Sequence, residues 1–135
     1  MNKEDKELLL KDLCGRLPYG VKIKYAIPTL LVSIRNDRDG IKVITEGTYG
    51  EHIYNIEDIK PYLRPLSSMT EEEKHELYNI RPYFINSDDI VSGTQCNTFI
   101  QASECQDWLN AHHFDYRGLI PKGLALEAPE NMYTL

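Results

Sequence analysis

Near the start of the chain Leu9, Leu10, Leu13 and Leu17 recur at spacings of three and four, with Lys6, Glu7, Lys11 and Asp12 on the other side. That pattern predicts an amphipathic helix over residues 3–14. Asn2 stands where an N-cap belongs, and Gly15 suits the left-handed geometry that closes a helix. From Val21 the period falls to two: Val21, Ile23, Tyr25 and Ile27 face one way, Lys22 and Lys24 the other. Leu30, Val32 and Ile34 repeat the alternation, Asn36-Asp-Arg-Asp-Gly40 supplies turn chemistry, and Ile41, Val43 and Thr45 complete a hairpin. A shorter strand follows around His52 to Asn55. Pro61 and Pro65 then predict an irregular or 3₁₀ segment from which Ile56, Ile59, Leu63 and Leu66 reach the core.

In the second half, Thr70-Glu-Glu-Glu73 has the spacing of a capping box and predicts a helix over residues 71–79. Pro82 and the polar run Asn86-Ser-Asp-Asp89 argue against a long helix in residues 81–100. Ser103-Glu-Cys-Gln106 offers another capping box, and Cys105, Trp108, Leu109 and His112 share one face of a helix over residues 104–112. Pro121, Gly123 and Pro129 predict an extended tail that wraps the domain. The expected fold is α+β: a small curled antiparallel sheet, open or closed as an SH3-like barrel, with an N-terminal helix and two short C-terminal helices.

Length changes little in that picture, since 135 residues suit a single globular domain over residues 1–135. Residues 1–66 form its helix-plus-sheet part, and residues 67–135 a helical, irregular and acidic part. The formal charge of −6 is uneven: residues 17–66 carry seven basic and six acidic groups, residues 67–135 four basic and eleven acidic. Such acidity weighs against general nucleic-acid affinity. Cys14, Cys96 and Cys105 are odd in number and form no CxxC pair, as expected of free thiols in a reducing compartment. No signal peptide or membrane span is read from the sequence, so a cytoplasmic location is expected.

The stretch Trp108-Leu-Asn-Ala-His-His-Phe-Asp-Tyr-Arg-Gly-Leu119 crowds imidazole, carboxylate, phenol and guanidinium together. His112, His113 and Asp115 are weak candidate metal ligands, because adjacent helical residues diverge. His112 reads as a core or helix-end histidine and His113 as solvent exposed. Cys105 and His112, two turns apart, are too distant for nucleophile activation. Asp37, Asp39 and Gly40 resemble the start of a calcium loop, yet Thr48 stands where the closing acid belongs. No glycine-rich phosphate loop, GxSxG elbow or HExxH helix occurs, and no cofactor or catalytic residue is assigned.

Two surfaces remain. Nine tyrosines are in excess, and tyrosine and arginine anchor interfaces, so Tyr62, Arg64, Asp115, Tyr116 and Arg117 form the candidate protein-binding surface. Lys22, Lys24, Arg35 and Lys42, beside Tyr25 or Tyr49 on the exposed side of the sheet, form the nucleic-acid alternative, diluted by Asp37, Asp39 and Glu46.

The stretches Leu13-Cys-Gly-Arg-Leu-Pro-Tyr-Gly-Val-Lys22, Ile59-Lys-Pro-Tyr-Leu-Arg-Pro-Leu-Ser-Ser-Met69 and Trp108 to Ile120 resemble a family of small proteins from gut Bacteroidetes and their phage-like elements. That resemblance spans nearly the whole chain and brings no reaction, ligand or catalytic residue. It implies a bacterial cytoplasm and a prophage-associated origin. The resulting expectation is a non-enzymatic accessory domain that binds another macromolecule, a protein before a nucleic acid, with no membrane partner. A metal-dependent hydrolase centred on His112, His113 and Asp115 is the remaining alternative.

Overall fold

The structure, a computed structural model, describes residues 1–24, 28–47, 50–80 and 99–133. Helix α1 (Lys3–Arg16) opens with Asn2 as N-cap, whose side chain accepts from the Asp5 amide at 2.7 Å. It runs through Gly15 and into a 3₁₀ turn, Leu17–Tyr19. The left-handed residue is Gly20, at φ 77°, and not the expected Gly15. Pro18 can start the 3₁₀ turn because its missing N–H would have no partner there.

Six strands follow: β1 (Lys22–Lys24), β2 (Pro28–Asp37), β3 (Gly40–Thr45), β4 (His52–Asn55), β5 (Lys60–Leu63) and β6 (Leu126–Glu127). Their order across the sheet is β4-β3-β2-β1-β5-β6. The fold is α+β, but the sheet is mixed, because β6 joins β5 in parallel while the other pairs are antiparallel. It does not close, which leaves an open sheet in place of the SH3-like barrel. Strand β5 corrects the irregular segment expected around Pro61. Pro61 sits opposite Ile23 within the ladder and is buried, and only Ile56–Asp58 before it is 3₁₀.

The expected phase of β2 also needs correcting. A bulge falls between Leu31 and Ser33, so Val32 and Ser33 together stand against Ile44. Leu31, opposite Thr45, and Ile34, opposite Val43, therefore share the inner face, while Leu30 and Val32 turn outward. On the inner face Leu9 and Leu13 of α1 pack with Val21, Ile23, Leu31, Val43, Ile56, Ile59 and Leu63, and with Leu119 and Leu124 from the tail.

Helix α2 (Glu71–Ile80) carries the expected capping box: the Glu73 amide donates to Thr70 Oγ1 at 3.2 Å, and the Thr70 amide to Glu73 Oε1 at 3.0 Å. Helix α3 (Phe99–Ala111) begins before Ser103, which is thus internal and not a cap. A second apolar cluster, Met69, Leu77, Cys105, Leu109 and Phe114, joins these helices. Among the described residues no helix is long and apolar enough to cross a membrane.

Candidate functional site

Two segments named for the protein-binding surface are brought together by the backbone. The Arg64 amide donates to the His113 carbonyl at 2.7 Å and the Asp115 amide to the Arg64 carbonyl at 2.8 Å, a parallel bridge beyond the end of β5. Of their side chains, Tyr62 and Asp115 are buried, and Arg64, Tyr116 and Arg117 are partly exposed. Tyr62 lies within β5 and is buried, not in a loop. Arg64 makes a two-pronged pair with Glu73, both N···O distances 2.7 Å, and its guanidinium lies 4.2 Å from the Phe114 ring centre. Partial burial pushes the Glu73 carboxyl up, but hydrogen bonds and charge from Arg64 and hydrogen bonds from Thr70 outweigh it, leaving its pKa at about 2. Asp115 is buried, and its two oxygens accept the Leu119 and Ile120 amides at 2.9 Å each, which folds the following loop.

Tyr116 and Arg117 belong to a polar network between α1 and α3. Asp12 and Arg16, one turn apart, are both 0% exposed, although the helical pattern placed Asp12 on the solvent side. Arg16 donates twice to Asp12, at 2.7 and 3.1 Å, and to the Phe114 carbonyl at 2.6 Å. The Arg117 Nε lies 3.3 Å from Asp12 Oδ1, close enough for attraction but without the alignment of a hydrogen bond. Both guanidinium groups approach the Tyr116 ring, at 5.2 and 5.1 Å, and the Tyr116 hydroxyl donates to Asn110 at 2.8 Å.

The metal candidates do not converge. His112 stacks on Trp108 at 4.0 Å, and its Nδ1 lies 2.9 Å from the Trp108 carbonyl, which requires the proton on that nitrogen. His113, expected in solvent, is 8% exposed and adopts φ 63°. Its ring stacks on Tyr133. Burial, then the charge of Arg16, lowers its pKa to about 4, with His112, Arg64 and Lys22 adding to the shift. With Asp115 occupied by backbone amides, these three groups form no ligand set. Among the described residues no cluster of three His, Cys, Asp or Glu could hold a metal ion.

The four basic residues of the nucleic-acid alternative do share a surface. Cross-strand partners lie on one face, so the register places Lys22, Lys24, Arg35 and Lys42 together on the outer side of the sheet, away from α1. Arg35 stands opposite Lys42. Lys24 stands opposite Lys60, a residue the sequence reading missed because Pro61 obscured the strand that carries it. Lys24 and Lys60 are exposed and have no ion-pair partner among the described residues. Lys42 donates to Asn55, a neutral partner that leaves its charge in place, and Lys22 Nζ reaches the Met132 carbonyl at 3.4 Å. Leu30, Val32, Ile44 and Ile53 lie on the same outer side, with Ile53 55% exposed. Tyr25 and Tyr49 lie outside the described residues.

Comparisons with protein-family models, curated proteins and solved structures found no match. What the site can do therefore rests on its geometry. It presents a cationic and aliphatic sheet face on a chain whose net charge is −6. Its imidazoles and its Asp115 carboxylate are bound up in the fold.

Proposed function

We propose that this protein is a non-enzymatic binding domain of a bacterial, phage-associated system that docks an acidic macromolecule on the outer face of its sheet. The observation that carries the reading is Lys24 facing Lys60 across β1 and β5. Like charges directly opposite destabilise a sheet, and no carboxylate relieves this pair among the described residues. A chain with twenty-one acidic residues had ample means to place one there. An anionic partner converts that local cost into attraction and adds electrostatic steering. The sheet face is preferred to Tyr62, Arg64, Asp115, Tyr116 and Arg117 because those side chains already have partners within the fold.

Retention on immobilised polyanions, heparin and polyglutamate, tests this at about 0.1 M salt, where a screening length near 10 Å mutes the distant acidic helices more than contacts at the face. The wild-type protein is retained on at least one matrix, and the Lys24→Glu/Lys60→Glu double variant elutes unretarded with an unchanged melting temperature. Free passage of the wild-type protein over both matrices overturns the proposal.

A further inference from the structure

The two cation pairs stand at opposite ends of the outer face. Lys24, opposite both Pro28 and Lys60, marks one end, and Arg35, opposite Lys42, marks the other. Along β2 the seven steps from Pro28 to Arg35 include the bulge and so cover six rungs of the ladder, about 20 Å at about 3.3 Å per residue. Between these ends the outward side chains of β2 are Leu30 and Val32 followed by Ser33, bordered by Ile44 of β3 and Ile53 of β4. Lys22 falls in the same stretch, but its amine is turned to the Met132 carbonyl. The face is positive, then aliphatic, then positive, with one exposed carboxylate on it, Glu46, whose amide donates to the Leu30 carbonyl, and with Ile44 buried at its edge.

Resting on the docking surface proposed above, we infer that its occupant is an acidic polypeptide segment carrying carboxylates at two ends and aliphatic side chains between them. The match is one of charge and of hydrophobic surface together. Carboxylates about 20 Å apart are separated by about thirteen residues of helix or about six of extended chain. A nucleic acid fits this surface less well. A single strand needs exposed rings on which bases stack, and a phosphate backbone needs a continuous track of cations. Among the described residues the strands of this face offer one aromatic side chain, Tyr62, which is buried, and Tyr133 of the tail is taken up by its stack on His113 and its bridge between Lys22 and Tyr62. Aliphatic side chains at the centre have nothing to gain from phosphate and much to gain from Leu, Ile or Val of a partner. Burial of such groups raises affinity and selectivity beyond what surface charge provides.

Fluorescence anisotropy on the full chain separates the possibilities with three labelled probes of matched length: a peptide with Glu and Asp at both ends and Leu, Ile and Val between, a polyglutamate peptide, and a single-stranded DNA. The acidic–aliphatic peptide binds about tenfold tighter than polyglutamate, the gain expected from burying one or two aliphatic side chains. Val32→Thr and Ile53→Ser remove that gain, whereas Lys24→Glu/Lys60→Glu removes binding of both peptides. If DNA binds at least as tightly as the mixed peptide, or polyglutamate equals it, or the Val32 and Ile53 variants retain the gain, the inference fails while the docking surface stands. If none of the probes binds, both fail. A concentration-dependent oligomer seen by light scattering and lost in Lys24→Glu identifies a second copy as the occupant and overturns the inference too.

Discussion

The imidazole of His113 lies against the phenol ring of Tyr133, ring centres 3.6 Å apart and planes inclined by 17°. The contact locks the tail onto the sheet, because the same phenol is threaded between β1 and β5. The Lys22 amide donates to the Tyr133 hydroxyl at 2.9 Å, and that hydroxyl donates to the Tyr62 carbonyl at 2.8 Å. Ile23 pairs with Pro61 one step away, so the side chain occupies the place where the next direct backbone bond of the ladder would lie. Burial pushes the Tyr133 pKa up to about 12, against the opposing influence of its hydrogen bond at Lys22, so the hydroxyl keeps its proton.

Tyr133→Phe keeps the ring stack and removes the bridge. The Lys22 N–H and Tyr62 C=O are then left without their partner, at a cost of about 1–3 kcal/mol. Urea denaturation reads the loss, and faster hydrogen exchange at the Lys22 amide localises it. Unchanged exchange at Lys22 contradicts the bridge.

Acid weakens the fold in two successive windows. Above pH 6.5 His113 is neutral whether folded or unfolded and contributes no pH dependence. As pH falls from 6.5 toward its folded value of about 4, the unfolded chain binds a proton that the folded one refuses, and stability drops by on the order of 3 kcal/mol. Glu73 acts next, between its ordinary 4.5 and its folded value of about 2, where protonation dissolves the pair with Arg64. His113→Asn, which suits the left-handed backbone at this position, flattens the first window and spares the second. Denaturant midpoints measured from pH 7 to pH 3 test both slopes.

Asp12→Ala leaves Arg16 and Arg117 as neighbouring cations without their shared carboxylate. A loss of about 3–5 kcal/mol follows, as for other buried ion pairs stripped of one partner. Asp12→Leu/Arg16→Met restores much of it, because apolar side chains of similar size fill the same space without a charge to solvate. Equal destabilisation by the single and double variants in chemical denaturation contradicts this account.

Asp115→Ala deprives the Leu119 and Ile120 amides of their acceptors and costs about 2–3 kcal/mol. The loop that carries Leu119 into the core loosens, while polyanion retention on the sheet face is unchanged when measured well below the melting temperature. Loss of retention in a folded Asp115→Ala protein assigns the residue to the binding surface instead.

Local signals made much of the fold legible in the sequence. Asn2 and the Thr70–Glu73 box act within one helical turn, and both cap as their spacing predicts. The hairpin turn and β4 were readable for the same reason. What escaped were features created by contact between distant segments. Pro61 looks like a strand breaker in isolation, yet stands in β5 between β1 and β6. Asp12 looks solvated until Arg16 and Arg117 are seen to meet it. His113 is the second residue beyond α3, and its left-handed backbone and the tail tyrosine make it interior. Among the basic residues, alternation placed four on one face, but the facing of Lys24 by Lys60 depends on a strand pairing across thirty-five intervening positions.

The extra residue at Val32 and Ser33 makes β2 two half-strands of opposite parity. Strict alternation from Leu30 onward would bring Arg35 to the same side as Leu31 and thrust Ile34 into water. Deleting either residue of the bulge would therefore invert the distal ribbon, sending its cations inward and its aliphatic stripe outward. One inserted backbone unit thus lets a single length of chain build an oily interior and a charged exterior from a sequence that, counted by twos, would have mixed them.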